Sequence, residues 1–207
     1  MKNKLFNSLK TSNLEFRFRE QGYSLIAGID EAGRGALAGP VFAAAVILPP
    51  EFESPEIKDS KLLSPQKREE LFNYICEIAL DYAISYVEVE KINQIGIFKA
   101  TFKAMFDALK KLKIKPELVL IDGPYAIPEY KGLQKAIVDG DRLCPSISAA
   151  SILAKVSRDR YMKKIDEVYP QYAFFQHKGY ATRFHFEMIE KYGLSPVHRT
   201  YYRCFKK

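Results

Sequence analysis

Four carboxylates define the chemistry open to this sequence. Asp30 and Glu31 are adjacent in Gly28-Ile29-Asp30-Glu31-Ala32-Gly33-Arg34-Gly35, Asp122 follows Leu118-Val119-Leu120-Ile121, and Asp141 follows Ala136-Ile137-Val138-Asp139-Gly140. Asp30, Asp122 and Asp141 each stand where an apolar, strand-like run gives way to a turn, the place where open α/β sheets bind ligands. Acids drawn together in this way repel one another unless divalent cations neutralise them. Oxygen donors without a neighbouring His or Cys suit Mg2+ or Mn2+ better than zinc. Consecutive strand residues point to opposite faces, so Asp30 and Glu31 can meet only if the strand ends or twists there. Gly33 and Gly35 allow that. The competing reading is an ordinary hairpin with solvated acids, with Asp122-Gly123 and Gly140-Asp141 as plain turn residues.

Other chemistries find less support. The glycine-rich stretch from Gly33 to Gly39 lacks the Gly-Lys-Ser/Thr ending of a phosphate loop and the spacing of a dinucleotide fingerprint, so no nucleotide cofactor is expected. His177, His185 and His198 are well separated, and a lone histidine is usually a packing or hydrogen-bonding residue. Ser148, Ser151 and Ser157 have no base nearby in sequence, which argues against a serine nucleophile. Cys76, Cys144 and Cys204 lack the spacing of a zinc site or a disulfide framework and are expected to be reduced packing residues.

The charge balance points to a polyanionic partner. The chain has 207 residues and a formal net charge of +7, yet residues 1–130 hold 17 Lys and Arg against 18 Asp and Glu, leaving 15 against 7 for residues 131–207. This basic segment is interleaved with aromatics, among them Tyr161, Tyr172, Phe174, Tyr180 and Phe184, a combination that suits a sugar-phosphate backbone. A solvated helical surface would also account for much of it. There is no apolar run of membrane-spanning length and no secretory leader, which leads us to expect a cytoplasmic protein without membrane contact.

The elements that would position the acids alternate. Leu25 to Asp30 and Val41 to Leu48 read as strands returning on each other. Ser64-Pro65 caps and opens a helix, Tyr82 to Val87 suggests a strand, and Ile97 to Leu112 is helical through Phe98, Phe102, Met105, Phe106 and Leu109. Leu118 to Ile121 is a short, wholly apolar strand of the buried kind. Ser148 to Arg160 is a helix crowded with small residues. A further helix around Tyr161 to Val168 and another from Thr182 to a Gly193 cap follow. The expectation is an α/β domain with a mixed sheet, about 14–160, continued by a basic helical extension, about 161–207.

Taken in order, the motifs Gly-Ile-Asp-Glu-Ala-Gly-Arg-Gly (28–35), Asp59-Ser60-Lys61, Ile121-Asp122-Gly123, Gly140-Asp141, Ile147 to Asp159 and His177-Lys178-Gly179-Tyr180 resemble bacterial ribonuclease HII. The resemblance runs from about Leu14 to His198. It implies an RNase H-like fold, a five-stranded mixed sheet flanked by helices, with a C-terminal helical extension over the substrate groove. It also implies a monomeric endonuclease that cuts RNA in RNA/DNA hybrids and at single ribonucleotides embedded in duplex DNA. Position by position, the family's metal-binding acids match Asp30, Glu31, Asp122 and Asp141, with Mg2+ or Mn2+ as the cofactor. Its ribose-sensing turn matches Gly33-Arg34-Gly35, its sugar-stacking tyrosine matches Tyr180, and Lys61 and Lys155 fall at phosphate-binding or site-supporting positions. Ala36, Leu62 and Thr200-Tyr201 depart from the family's usual residues, the last within the extension.

The mechanism expected from this resemblance uses two ions about 3.5 to 4 Å apart around the scissile phosphate, with Asp30 bridging them and no protein nucleophile. The products would carry a 5′-phosphate on the ribonucleotide side and a 3′-hydroxyl upstream. Two rivals are a non-catalytic nucleic-acid-binding module, which has no use for four converging acids, and another RNase H-like nuclease. Among the latter, ribonuclease HIII would place an additional domain before the first acid, where fewer than 30 residues stand.

Overall fold

A computed structural model describes residues 14–52 and 64–202. Its helix and strand order is α1 (Leu14–Glu20), β1 (Ile26–Ala32), β2 (Val41–Ile47), α2 (Pro65–Ile78), β3 (Asp81–Val87), α3 (Val89–Ile95), α4 (Ile97–Lys111), β4 (Leu118–Asp122), β5 (Gln134–Ile137), α5 (Gly140–Leu143), α6 (Pro145–Val168), α7 (Phe174–His177) and α8 (Arg183–Tyr192). The five strands form one mixed sheet in the order β3-β2-β1-β4-β5. β1, β2 and β3 pair antiparallel, whereas β4 runs parallel to both β1 and β5.

Strand parity divides the core. Ala27, Ile29, Val119 and Ile121 face α4 and pack with Phe102, Met105 and Leu109. Ala44, Val46 and Leu48 face the other way, against Leu71 and Ile75 of α2 and Ile152 and Leu153 of α6. α6 lies directly on β1. A Cβ added at Gly28 would fall 2.1 Å from the Ser146 carbonyl carbon, so only glycine admits the helix at that depth. The start of α6 is held by a residue from far away in the chain. The buried Glu15 carboxylate accepts from the Ser146 amide (2.9 Å) and hydroxyl (2.7 Å), and is itself paired with Arg19 at 2.8 Å. A carboxylate there complements the positive end of the helix dipole.

Two expectations are corrected. β1 continues two residues beyond Asp30, to Ala32, because its pairing with β2 persists to Ala32 and Phe42. The helices expected at 148–160 and 161–168 are one, α6, spanning Pro145–Val168: no Gly or Pro interrupts it before Pro170. Core and extension therefore share a helix. Met162 of this helix forms a separate apolar cluster with Tyr172 and Phe174, which follow it, and with Ala38 of the β1–β2 connection. The caps read from Ser64 and Thr182 are present, each hydroxyl accepting from the amide three residues on. Among the described residues no helix is long and apolar enough to cross a membrane.

Candidate active site

Asp30 and Asp122 are brought together by register. The last β1–β4 pair is Ile29 with Ile121, so the two aspartates are the next residues on neighbouring parallel strands. In-register residues of adjacent strands share a face. Glu31 has the opposite parity and comes round the free edge that opens where β4 ends. There it lines a concavity with Arg34, Phe98, Ile121, Asp122 and Tyr125. Asp141 lies in the first turn of α5, buried, beside Gly140, whose added Cβ would stand 3.3 Å from Asp122 Oδ1. Asp139, in the left-handed region at φ 54°, turns the chain into this helix.

The electrostatics of the cluster are those of crowded, desolvated acids. Burial pushes Asp30 well above the usual carboxylate range, and the neighbouring charges of Glu31 and Asp122 push it further. The Ser151 hydroxyl and the Glu31 amide, the latter at 2.6 Å, hydrogen-bond its carboxylate and oppose that rise. Glu31 is raised by burial and by Asp122, against the pull of Arg34, whose Nη1 is 3.5 Å from Glu31 Oε1. Such a cluster gains most from a hard cation. The donors are all carboxylate oxygens, which fits Mg2+ or Mn2+. Among the described residues no three His, Cys, Asp or Glu are already closed around a single ion position. Mg2+ is compatible with this, since it keeps several waters and takes substrate phosphate oxygens rather than requiring a protein cage.

The other residues singled out lie along one face of α6 and the connection it covers. Ser151 reaches Asp30, and one turn on Lys155 pairs with Asp159 at 2.6 Å and sits 5.6 Å from the centre of the Tyr180 ring. Arg158 follows, 5.1 Å from the same ring. Gly33, at φ +88°, is pressed against Arg158: an added Cβ would fall 1.9 Å from its Nε. The connection after Arg34 is tied to the extension by a bridge between Ala36 and Tyr180 and another between Ala38 and His198. The amides of Leu37 and Ala38 also donate to the Gly179 carbonyl, at 2.8 and 3.2 Å. Tyr180 is half-buried, placed beside the Gly33-Arg34-Gly35 turn by that bridge. Asp59, Ser60, Lys61 and Leu62 lie outside the described residues. At the Thr200-Tyr201 departure the extension folds back, and the neighbouring Tyr202 hydroxyl donates to the Arg34 carbonyl at 3.1 Å.

Two groups escaped the sequence reading. The three histidines, separated in sequence, converge: the His177 and His185 rings stack at 4.2 Å, and His185 Nε2 is 3.1 Å from His198 Nε2. They tie α7, α8 and the final turn together rather than serving the acids. Arg158 and Arg199 are wholly buried, and their hydrogen bonds go to backbone carbonyls of residues 34–40. The one sequence signal for Arg158 was the spacing Ser151, Lys155, Arg158, a single helical stripe.

Known proteins are similar to this chain in sequence and in fold. The family model described as ribonuclease HII matches residues 27–205. Ribonuclease HII of Caldicellulosiruptor bescii is 49% identical over 186 residues, covering 90% of each chain. That of Coxiella burnetii is 53% identical over 175 residues, covering 84% of this chain and 86% of the other. The crystal structure of the ribonuclease H2 from Pyrococcus horikoshii superposes with a TM-score of 0.75 at 27% identity, covering 87% of this chain and 95% of that one. With the family model matching residues 27–205, relatives about half identical over 84–90% of the chain and the fold shared, this chain belongs to the ribonuclease HII family and is a type 2 ribonuclease H.

Proposed function

We propose that this enzyme cuts the RNA strand of RNA/DNA hybrids and duplex DNA at single embedded ribonucleotides, by metal-assisted phosphodiester hydrolysis giving 5′-phosphate and 3′-hydroxyl ends. The observation that carries the reading is the buried meeting of Asp30, Glu31 and Asp122 at the ends of adjacent strands, with Asp141 beside them, in an otherwise basic protein. These four acids would hold two Mg2+ or Mn2+ ions. When bound, such ions supply an activated water and neutralise charge on the leaving 3′ oxygen.

The chain's own residues do the rest. The Ser151 hydroxyl and the Glu31 amide donate to the Asp30 carboxylate and hold it in place, leaving its remaining lone pairs for a cation. Arg34 restrains Glu31. Gly33 and Gly35 carry no side chain, so the backbone of their turn can approach the 2′-hydroxyl, which both donates and accepts hydrogen bonds. The Tyr180 ring, backed by Arg158 and Lys155, would stack on the neighbouring sugar, and the Lys155 ammonium would sit near a phosphate. Lys61 would serve a second phosphate. Residues from about 161 onward would track the duplex backbone as a substrate-binding extension. The test is incubation of the protein, with Mg2+ or Mn2+, with a labelled DNA duplex holding one ribonucleotide. A single cut on the 5′ side of the ribonucleotide is expected, whereas an intact duplex with either ion would refute the reading.

A further inference from the structure

The connection between β1 and β2 is held from beneath by two buried cations. Arg158, from α6, donates Nε to the Pro40 carbonyl and Nη2 to that of Ala38, both at 3.1 Å. Arg199, from the end of the extension, donates Nε to the Gly39 carbonyl at 2.8 Å and Nη1 to those of Arg34 (3.1 Å) and Ala36 (2.8 Å). Five carbonyls between residues 34 and 40 are thus drawn toward the protein interior by guanidinium groups. Both side chains are fully buried. Arg158 Nη1 and Arg199 Nη2 find no hydrogen-bond partner among the described residues. Burying an arginine without a carboxylate is expensive, and a fold that needed only to satisfy carbonyls could have used neutral donors. A planar fork of donors, by contrast, fixes several acceptors in one geometry.

The same two residues touch everything that would read the sugar. Arg158 lies against Gly33 and, at 5.1 Å, on the Tyr180 ring. Arg199 holds the carbonyl of Arg34, inside the Gly-Arg-Gly turn, and the Tyr202 hydroxyl holds that carbonyl as well. With the Arg34 carbonyl tied down, the peptide plane between Arg34 and Gly35 is held, and the carbonyls of Ala36, Ala38, Gly39 and Pro40 hold the connection that follows.

We propose that Arg158 and Arg199 are positioning residues for ribose recognition, clamping the connection from Arg34 to Pro40 so that the turn at Gly33-Arg34-Gly35 and the ring of Tyr180 meet one nucleotide in fixed relation. The proposal rests on the reading of that turn and of Tyr180 as the sugar-contacting elements. It separates two jobs within the site: the acids carry out hydrolysis, and the buried guanidiniums set how strongly a 2′-hydroxyl is demanded.

The test is a ratio. Cleavage is measured on two duplexes that differ at one position, a ribonucleotide or its 2′-fluoro analogue, which keeps a similar sugar pucker but cannot donate a hydrogen bond. The parent should prefer the hydroxyl. In Arg158→Lys and in Arg199→Lys the ratio of kcat/KM values should fall about tenfold, the scale of one misplaced hydrogen bond, with the Mn2+ midpoint for cleavage at its parental value. A residue that merely stabilises the fold would lower both rates together and leave the ratio untouched. Tyr202→Phe removes one tie to Arg34 from the protein surface at little risk to folding, and should lower the ratio about threefold, in the same direction. An unchanged ratio in Tyr202→Phe and in every folded Lys variant overturns the proposal. A parent that cuts neither duplex would instead refute the proposed function, and a parent that cuts both equally would overturn the clamp alone.

Discussion

Acid should destabilise the fold through its buried histidine cluster, whose electrostatics set the size of the effect. His185 and His198 are 0% and 1% exposed and share the Nε2 to Nε2 contact of 3.1 Å, which only one proton can fill. His198 Nδ1 faces the Ser195 amide at 2.9 Å, and His185 Nδ1 faces the Tyr180 carbonyl at 2.9 Å. Burial, reinforced by the other rings, brings both down to about 4 from an ordinary value of 6.5. The unfolded chain thus takes up protons near pH 6.5 and the folded chain only near 4. Stability is fully present above pH 6.5 and declines as the pH falls from there to 4. A tenfold change in proton affinity corresponds to about 1.36 kcal/mol, so each ring alone would contribute about 3 kcal/mol. Because the two share one hydrogen bond, the pair should contribute about 3 to 6 kcal/mol, a large part of the roughly 5–15 kcal/mol typical of a domain. The assay is urea unfolding between pH 7.5 and 4, followed by circular dichroism, on the parent and His198→Gln. Taking the difference between the two removes the carboxylates they share. The parent should lose stability more steeply than the variant below pH 6.5; parallel profiles would refute the reasoning.

Three further outcomes are expected. Asp30→Asn should abolish cleavage while melting at or above the parental temperature, because it removes one charge from a buried, mutually repelling set; a variant that unfolds or cuts at the parental rate would contradict the assignment. Tyr180→Ala should reduce turnover of a single embedded ribonucleotide at least about tenfold with an unchanged Mn2+ midpoint, checked by side-by-side rates and thermal melts. Glu15→Ala should destabilise the fold by about 1–3 kcal/mol, seen in urea unfolding at pH 7, since it strands the Ser146 amide and hydroxyl and the Arg19 guanidinium.

Local signals were legible in the sequence because they are short-range. The unbroken apolar run of β2, the Ser64-Pro65 start of α2 and the Phe98 to Leu109 periodicity of α4 each declare themselves within a few residues. Asp30, Glu31 and Asp122 were legible because each closes or nears the end of an apolar strand, whereas Asp141 lies in a helix after the short, partly exposed β5, and the reason Glu31 can join Asp30 was hidden. It lies in the early end of β4, not of β1, and only pairing reveals it. What stayed hidden is long-range. Arg199 bonds to carbonyls 160 and more residues away, Glu15 caps a helix 131 residues on, and the histidines meet across 8 and 13 intervening steps of chain. No period or spacing encodes such meetings; they depend on how α6, α8 and the final turn fold back over the β1–β2 connection. Nothing in the sequence breaks α6 at the expected division: from Lys155 onward small residues give way to long, mostly charged ones, which alters exposure but not helical geometry.

The continuity of α6 gives the enzyme a ruler. Ser151, which hydrogen-bonds Asp30, and Arg158, which touches Gly33 and Tyr180, are seven residues apart on one uninterrupted helix, about 10.5 Å along its axis and close to two full turns. On the proposed function the distance from the acids to the sugar-reading turn would be set by rise per residue, and the angle between them by helical phase. Inserting or deleting one residue between Ser151 and Arg158 would rotate one function about 100° away from the other, whatever the chemistry of the residue added. On the proposed function a change of length in this segment would cost more than a change of side chain, and recognition and chemistry would share one rigid element with no hinge between them.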